Sequence, residues 1–244
     1  LRQVLAQQPK PPSCTKVRRR EKLQLYLYNF AHRRPRGPVS FLLLSILRVL
    51  SWLYGAAVVL KLSLYKWGVL NQDRLPCTVI SIGNITVGGT GKTPTAQRLA
   101  AFIQEQGYKV AVLNRGYRAK WRGEVGIVSD GQRILMNATD SGDEAYLLAK
   151  NLPGIPVIIG RKRAINGRYA VENLGIEVLV LDDGFQHWQL ARDLDIVLID
   201  TITAFGNNQM LPRGILREPL RHLNGPIPSC LPRWTSRSRR CTIP

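Results

Sequence analysis

The pattern of hydrophobic positions changes once along the chain, close to residue 71. Before that point, residues 41–70 form an almost continuous apolar stretch. After it, short apolar runs rich in β-branched residues alternate with longer stretches whose apolar residues have helical spacing. Uninterrupted apolar strands that alternate with helices are typical of a parallel sheet covered on both faces. The pattern therefore predicts an α/β domain over residues 71–223.

This alternation assigns a strand or a helix to most of the domain. The predicted strands are 77–83, 108–114, 155–160, 176–183 and 194–200, and the predicted helices are 92–106, 142–151 and 161–174. Residues 123–136 are predicted to form a β-hairpin that turns at Asp130–Gly131. From residue 224 onward, prolines, serines and arginines follow one another without periodicity. Residues 224–244 are therefore interpreted as a tail outside the core.

The apolar stretch 41–70 has the length of a helix that crosses a bilayer, but Arg48, Lys61 and Lys66 interrupt it. On a helical projection, five polar residues fall within an arc of roughly 120°. They are Ser45, Arg48, Ser51, Ser63 and Lys66. Tryptophan and tyrosine, which favour the depth of lipid headgroups, occur four times between residues 52 and 67. We expect an amphipathic helical hairpin or bent helix on a membrane surface. The alternative is a helix packed on the core of the domain.

The basic residues concentrate at the two ends of the chain. The formal net charge is +19, yet residues 1–40 hold ten Lys/Arg with one acid, and residues 221–244 hold five Arg with no acid. A nucleic-acid-binding protein carries its basic groove on the folded body, so no nucleic-acid partner is expected. The basic segment 1–40 is typical either of a mitochondrial transit peptide or of a polybasic arm that meets anionic lipid.

The segment GNITVGGTGKTP, residues 83–94, follows the first predicted strand and opens the first predicted helix. This context is typical of a phosphate-binding loop, in which backbone N–H groups and a helix N-terminus surround the phosphates of a nucleotide. We expect Lys92 to contact the β- and γ-phosphates of ATP and the Thr93 hydroxyl to bind Mg²⁺. Thr86 stands where the usual pattern has glycine, but the backbone N–H groups that surround the phosphates belong to later residues of the loop. The predicted ATP-binding residues are Thr86, Val87, Gly88, Gly89, Thr90, Gly91, Lys92 and Thr93.

Two acidic motifs complete the expected site for phosphoryl transfer. In VLVLDDGFQH, residues 178–187, an apolar strand ends in Asp182 and Asp183, where carboxylates commonly meet the Mg²⁺ of a nucleotide. The alternative is that one of them caps the following segment. In SGDEA, residues 141–145, two acids open a predicted helix. Acids favour the first turn of any helix because of its dipole, but a carboxylate there can also accept a proton from an attacking hydroxyl.

With NRGY (114–117), LDDGFQHWQLARDLDIVLID (181–200) and FGNNQMLPRGILREPL (205–220), these motifs resemble the tetraacyldisaccharide 4′-kinase family over residues 51–220. The resemblance implies a P-loop NTPase-like fold: a mostly parallel sheet with helices on both faces, preceded by an N-terminal membrane-associated helix. It also implies transfer of the γ-phosphate of ATP to the 4′-hydroxyl of a tetraacyldisaccharide 1-phosphate, which forms lipid IVA. The loop of this family begins with threonine, as it does here at Thr86.

The resemblance also assigns roles to individual residues. It makes Asp143 the expected catalytic base, assisted by Lys92 on the phosphates. The expected ligands of Mg²⁺ are Thr93, Glu144, Asp182 and Asp183. The expected contacts with nucleotide or substrate are Gln186, His187 and Arg115. The family acts at the cytoplasmic face of the bacterial inner membrane, and the basic N-terminus keeps a plant mitochondrion as the alternative location. A membrane surface and the lipid substrate are the expected partners, and no protein partner is inferred.

Two functions stay open at this stage. The family continues past LREP into a smaller part that closes over the site, and residues 224–244 do not resemble that part. The chain is therefore expected to be an ATP-dependent lipid kinase or, alternatively, a membrane-associated ATP-binding module without catalysis. A nucleotide-dependent switch on the same fold is disfavoured, because the chain has no N-K-x-D-like segment that would recognise a base.

Overall fold

The computed structural model describes residues 38–201 and 204–223, so the predictions for residues 1–37 and 224–244 lie outside the described residues. The helices are α1 (Pro38–Lys66), α2 (Lys92–Glu105), α3 (Ala138–Ser141), α4 (Asp143–Asn151) and α5 (Arg163–Leu174). The strands are β1 (Thr78–Gly83), β2 (Val110–Asn114), β3 (Gly126–Ser129), β4 (Val157–Ile159), β5 (Val178–Asp182) and β6 (Leu194–Val197). A 3₁₀ helix spans Leu220–Leu223. Every predicted strand and helix of the domain is present, and the strands are one to three residues shorter than predicted at one or both ends.

One six-stranded sheet organises the domain, with the strand order β3-β4-β2-β5-β1-β6. Strands β4, β2, β5, β1 and β6 are parallel to their neighbours, and only β3 runs antiparallel, at the edge beside β4. The predicted fold class is therefore confirmed. Because the parallel strands end at the same edge, the loops that follow β1, β5, β2 and β4 lie side by side there.

The predicted hairpin over residues 123–136 is only partly formed. The return strand is reduced to a single bridge between Ser129 and Ile134, and β3 takes β4 as its ladder partner. The turn itself forms as predicted, because Asp130 Oδ1 accepts hydrogen bonds from the backbone N–H groups of Gln132 (2.8 Å) and Arg133 (2.7 Å). Strand β3 lies at the end of the sheet, where it forms its ladder with β4 and meets the return strand only at the Ser129–Ile134 bridge.

The helices cover both faces of the sheet because side chains alternate along each strand. In β2, Val110 and Val112 face a core cluster with α2 and α4, whereas Ala111 and Leu113 face a second cluster with α5. All five residues of β2 and all five of β5 are buried. Strands buried on both faces explain the near-continuous apolar runs of the sequence.

Helix α1 is continuous over 29 residues, so the predicted hairpin is wrong. Gly55, at its centre, does not break the helix and instead gives room to the sulfur of Met210, which a Cβ atom there would approach to 3.2 Å. Ser51 Oγ donates a hydrogen bond to the carbonyl of Met210 (2.7 Å), and the Tyr54 hydroxyl donates to that of Arg217 (3.1 Å). Part of the predicted polar arc therefore faces the protein.

The opposite side of α1 presents apolar side chains that nothing in the described part of the chain covers. Leu42 and Leu53 are both 63% exposed, and Trp52 is 72% exposed. Within residues 38–201 and 204–223, α1 is the one helix long and apolar enough to cross a membrane. Only 11% of its most apolar 18-residue window is buried. The alternative, a helix packed on the core of the domain, describes only the side of α1 that carries Ser51 and Tyr54.

Residues 205–220, which we call the strap, run across the edge of the sheet where the loops gather. The backbone of Val87 donates to the carbonyl of Ile215 (2.8 Å), and that of Arg217 donates to the carbonyl of Ile85 (2.8 Å). Ile85, Leu216 and Phe185 form a small buried cluster beneath this contact. The strap thus fixes the stem of the loop that follows β1 and also carries the docking surface of α1.

Gly83 ends β1 where the turn after β5 passes over it, and a Cβ atom there would lie 2.3 Å from the Cβ of Phe185. We expect Gly83→Ala to lower the free energy of unfolding by about 1–3 kcal/mol, because the overpacked turn must move. Gly89→Ala is the matched control, since a Cβ at Gly89 meets no atom within 4 Å. Urea denaturation measures both variants. Equal unfolding midpoints for Gly83→Ala and the wild type would contradict this packing.

Candidate active site

The glycine-rich loop, residues 84–91, connects β1 to α2 at the edge where the parallel strands end. Gly88 has a φ of 138° and Gly91 a φ of 76°, values that residues with a side chain rarely adopt. No side chain caps the N-terminus of α2, where Gly91 is the N-cap residue. The backbone N–H groups of the loop and of the first helical turn are therefore placed to receive an anion.

Thr86 and Val87 belong to the stem of this loop. Thr86 is 2% exposed and forms an isolated antiparallel bridge with Leu216 of the strap. A bridge requires extended backbone, which a β-branched residue favours over glycine. This explains how threonine replaces the usual leading glycine: the chain leaves β1 in an extended conformation, and the glycines that turn it come later.

Lys92 is held inside the loop. Its Nζ donates to Asn84 Oδ1 (3.3 Å) and to the carbonyl of Gly88 (3.5 Å), and it lies 3.7 Å from Asp183 Oδ1. Its side chain is 14% exposed, so the ammonium sits in a partly desolvated position among oxygen atoms. A phosphate entering the loop would meet this charge at close range.

Asp182 joins the loop to the neighbouring strands. Its Oδ2 accepts hydrogen bonds from Thr93 Oγ1 (3.0 Å) and from Asn114 Nδ2 (2.9 Å), although the residue is only 1% exposed. Burial raises the pKa of this carboxyl, and the two hydrogen bonds lower it. Its second oxygen, Oδ1, is buried and accepts no hydrogen bond from the described residues. One buried lone-pair site is thus open for a donor or a cation.

Asp183 has a φ of 54°, which places a residue other than glycine in the left-handed region. Its Oδ1 lies 3.7 Å from Lys92 Nζ and 3.6 Å from Arg217 Nη1. Behind it, the buried Arg163 donates from Nη2 to the carbonyl of Asp182 (2.8 Å). Burial lowers the pKa of Arg163 to about 10, so the guanidinium stays charged at neutral pH. The charged side chains of Lys92 and Arg217 on one side, and of Arg163 on the other, hold the strained turn at Asp183.

Asp143 and Glu144 open α4, directly after Gly142, whose φ is 85°. Burial raises the pKa of Glu144, and the charges of Asp182 and Asp183 add to the rise. Glu144 therefore lies close enough to Asp182 and Asp183 for their negative charges to repel its own. Asp143 is exposed and forms no hydrogen bond or ion pair with another described residue. It is free to accept a proton.

Gln186 and His187 occupy the turn after the acids, in different environments. Gln186 Nε2 donates to the carbonyl of Asn84 (2.8 Å), and its Oε1 accepts from Arg217 Nη1 (3.1 Å), so this side chain braces the loop. Burial, together with the charges of Arg163, Arg192 and Lys61, lowers the pKa of His187 to about 4. His187 is therefore neutral at pH 7. The third expected contact, Arg115, is exposed at the end of β2.

Four residues that support the site were missed in the sequence: Asn84, Asn114, Arg163 and Arg217. Asn114 ends the predicted strand 108–114 at the same sheet edge, and this position was the signal that could have identified it. Arg217 belongs to the quoted segment 205–220, but only the strap brings it to Asp183. Arg163 lies outside the quoted motifs and reaches the site through α5.

The oxygen atoms of Asp182 and Thr93 suit a Mg²⁺ ion that arrives with a nucleotide better than a metal ion bound by protein side chains alone. Within the residues that the structure describes, no three His, Cys, Asp or Glu side chains are arranged to hold a metal by themselves. Mg²⁺ characteristically takes one or two carboxylates together with substrate phosphates and water. The buried, unpartnered oxygen of Asp182 beside the Thr93 hydroxyl meets that requirement.

Comparisons with known proteins agree with this geometry. The family model described as tetraacyldisaccharide-1-P 4′-kinase matches residues 43–225. The chain is 49% identical over 187 residues to a tetraacyldisaccharide 4′-kinase of Syntrophus aciditrophicus, covering 77% of this chain and 49% of that protein. It is 43% identical over 205 residues to one of Halothermothrix orenii, covering 84% of this chain and 53% of the relative.

A solved structure shares the fold as well. The crystal structure of LpxK from Aquifex aeolicus in complex with ATP superposes with a TM-score of 0.68 at 40% identity. The match covers 75% of this chain and 56% of that one. The chain thus spans about half the length of the relatives that it matches. The phosphate loop, the acids at the end of β5 and the match over residues 43–225 show that this chain belongs to the tetraacyldisaccharide-1-P 4′-kinase family.

Proposed function

We propose that this chain binds ATP at its glycine-rich loop and transfers the γ-phosphate to the 4′-hydroxyl of a tetraacyldisaccharide 1-phosphate, which forms lipid IVA. The contact between Thr93 and Asp182 carries the proposal, because it joins the end of the phosphate loop to the acidic strand end at 3.0 Å. The Aquifex aeolicus relative was solved with ATP, and the curated relatives are named for the lipid acceptor. Both names support this substrate pair.

ATP binding is assigned to residues 86–93. In the proposed complex, the backbone N–H groups of Gly88 to Gly91 surround the β-phosphate, and Lys92 exchanges its oxygen partners within the loop for the β- and γ-phosphates. The ammonium would gain charged phosphate oxygens, whereas its two present hydrogen-bond acceptors, at 3.3 and 3.5 Å, are neutral and the anionic Asp183 lies 3.7 Å away. The Thr86 bridge to the strap keeps the loop stem in place during the exchange.

Mg²⁺ is expected beside the Thr93 hydroxyl and the free oxygen of Asp182, with Asp183 and Glu144 around it. When bound, the ion neutralises charge on the phosphates as the transition state develops. The raised pKa of Glu144 and the repulsion among the three acids support a cationic occupant of this region.

Asp143 is proposed as the general base. Its carboxylate accepts the proton of the 4′-hydroxyl as the hydroxyl oxygen bonds to the γ-phosphorus, and the bond from that phosphorus to the β–γ bridging oxygen breaks to release ADP. Its position supports this role, because it is exposed and has no hydrogen-bond or ion-pair partner among the described residues.

Asp143→Asn tests the base. We expect the rate of label transfer from [γ-³²P]ATP to the lipid, in detergent micelles, to fall by about 10²–10⁴-fold, because the amide cannot accept a proton. The affinity for ATP should not change. Asp140→Asn is the matched control, since Asp140 lies three residues earlier and its side chain bonds only to Asn137. An active Asp143→Asn variant would contradict the role. ATP binding without transfer by the unmodified chain would favour the alternative, a membrane-associated ATP-binding module.

Asp182→Asn tests the proposed magnesium site without turnover. We expect the wild type to bind ATP more tightly with Mg²⁺ than with EDTA, and the variant to lose roughly tenfold of that gain, because a charged ligand oxygen is gone. Its affinity in EDTA should stay close to that of the wild type. Glu177→Gln, at an exposed acid before β5, is the control. If Mg²⁺ strengthens ATP binding as much in Asp182→Asn as in the wild type, this carboxylate does not bind the ion.

The uncovered face of α1 is proposed to lie on the membrane, with the catalytic domain at the cytoplasmic face of the bacterial inner membrane. A lipid acceptor reaches an enzyme most directly from the bilayer that dissolves it. The exposed leucines and the tryptophan of α1 support this placement, since no described segment covers them. The helix docks on the strap through Ser51 and Tyr54, so the membrane surface and the phosphate loop share one structural support.

Leu50→Gln/Leu53→Gln tests the membrane face. These side chains are 45% and 63% exposed on α1. Their loss should weaken binding to phosphatidylethanolamine–phosphatidylglycerol vesicles at least tenfold, because each buried leucine contributes about 1.5–3 kcal/mol. Vesicle flotation measures the effect. Leu194→Gln is the control, because Leu194 is also 43% exposed but lies on β6. Equal flotation of the double variant and the control would exclude this face as the membrane contact.

A further inference from the structure

Arg192 lies two residues before β6, and its side chain is only 5% exposed although it carries a full charge. It belongs to the motif of residues 181–200, yet no role assigned above explains it. Its Nη1 donates hydrogen bonds to the carbonyls of Phe185 (2.6 Å) and Gly184 (3.1 Å), and its Nη2 lies 3.3 Å from Asp195 Oδ2 on β6. Burying a guanidinium is costly unless it is paired, so these partners indicate what the residue does.

The carbonyls that Arg192 binds belong to the turn after β5, which carries the acids of the site. Gly184 and Phe185 directly follow Asp182 and Asp183. Asp183 has a φ of 54°, an unfavourable conformation for a residue with a side chain, which persists only where the surroundings hold it. The direction of the Asp183 carboxylate therefore depends on the peptide groups on either side of it.

A buried arginine lies on each side of this strained residue. Arg163 donates from Nη2 to the carbonyl of Asp182 (2.8 Å), just before Asp183, and Arg192 donates to the two carbonyls just after it. Hydrogen bonds from a guanidinium to a carbonyl are charge-assisted and stronger than those between neutral groups. The two arginines therefore fix the backbone at both ends of Asp183.

The turn itself has little room to move. The backbone N–H of Gly184 donates to the carbonyl of Ile82 (3.0 Å). A Cβ atom at Gly184 would lie 2.6 Å from the Cβ of Leu181 and 2.7 Å from Ser81 Oγ, so the turn rests directly on β5 and β1. The sheet therefore holds the N–H side of the turn, and Arg192 holds its carbonyl side.

Arg192 is anchored to two neighbouring segments. Asp195, its ion-pair partner, stands opposite Ser81 in the ladder between β6 and β1. The guanidinium also lies 4.6 Å from the centre of the Trp188 ring, a distance at which a cation is attracted to the face of the ring. Trp188 in turn donates from Nε1 to Glu218 Oε1 of the strap (3.2 Å). Arg192 thus attaches the turn to β6 and, through Trp188, to the strap.

We propose that Arg192 is a positioning residue for phosphoryl transfer: it holds the turn after β5 so that the Asp183 carboxylate stays at the proposed magnesium site. The inference rests on the proposed function and adds a residue that acts on the site through another. The contacts of Arg192 with the turn, β6 and Trp188 do not involve the phosphate loop, so binding of ATP alone should change little without it. Binding of ATP with Mg²⁺ should depend on it, because that complex needs the carboxylate of Asp183 as a ligand.

The test compares ATP binding with Mg²⁺ and with EDTA by calorimetric titration, so it does not depend on turnover. The ratio of the two affinities is the magnesium gain. We expect Arg192→Gln to lose roughly fivefold or more of the magnesium gain of the wild type, because the glutamine amide cannot bind both carbonyls and Asp195. Its affinity in EDTA should stay close to that of the wild type. An unchanged magnesium gain in Arg192→Gln would overturn the proposal.

Two further variants separate positioning from general stability. Arg192→Lys keeps a cation beside Asp195 but lacks the planar fork, so it should recover only part of the magnesium gain. Ile155→Ala opens a cavity at the opposite edge of the sheet, where it should lower the unfolding temperature and leave the magnesium gain unchanged. Equal losses of the gain in Ile155→Ala and Arg192→Gln would show that Arg192 only stabilises the fold. If Arg192→Gln does not fold, a full magnesium gain in Arg192→Lys overturns the proposal.

A double-variant cycle shows whether Arg192 acts through Asp183. Asp183→Asn removes the charged ligand but keeps the turn, because asparagine accepts a positive φ as aspartate does. We expect Arg192→Gln/Asp183→Asn to show the same magnesium gain as Asp183→Asn alone, since the carboxylate that Arg192 positions is then absent. Additive losses would mean that Arg192 acts elsewhere, and the proposal would be wrong.

The proposed kinase function can fail separately. If Arg192→Gln loses the magnesium gain but the wild type transfers no phosphate to the lipid, the kinase activity fails while the role of Arg192 stands. If the wild type transfers phosphate and Arg192→Gln keeps the full gain, the role of Arg192 is wrong while the kinase activity stands. A wild type without any magnesium gain also overturns the proposal, because Asp183 then receives no ion.

Discussion

The buried carboxylate of Asp182 is the contact on which the arrangement of the site depends. One of its oxygens accepts hydrogen bonds from Thr93 on α2 and Asn114 on β2, and its carbonyl accepts one from Arg163 on α5. A charge that is 1% exposed is tolerated only with such partners. The same contacts join the phosphate loop, two strands and a helix from the other face of the sheet. Breaking any of them leaves a buried polar group unpaired.

The strap adds a second constraint, which connects the site to helix α1. Its backbone pairs with the loop stem at Thr86, and its Arg217 side chain reaches Asp183 and Gln186. The carbonyl of that same arginine accepts the hydrogen bond from Tyr54 of α1. Helix α1 is thus two contacts from the acids of the site. The proposed membrane face and the proposed nucleotide site therefore share the strap as their structural support.

Much of the fold and part of the site could be predicted from the sequence because they depend on local pattern. The strands of the parallel sheet are apolar on both faces, so they stand out as continuous runs, and the loop residues from Gly88 to Thr93 are contiguous. The hairpin after β3 was predicted from its turn, which forms, but the return strand pairs with β3 only at the Ser129–Ile134 bridge. The hairpin in α1 failed because Gly55 weakens a helix in isolation, yet here it makes room for Met210.

The sequence by itself determined the sheet, the phosphate loop and the acids at the strand end, since each follows from periodicity or from neighbours along the chain. Only the tertiary structure decided which distant groups support them. Asn114 and Arg163 lie 68 and 19 residues from Asp182, and their hydrogen bonds with it exist only because β2 and α5 pack beside β5. The contacts of Arg192 with the turn after β5 likewise need β6 to pack beside β1. The burial of a side chain and the charges around it depend on which residues lie close to it in the fold, and the order of residues along the chain does not specify those neighbours.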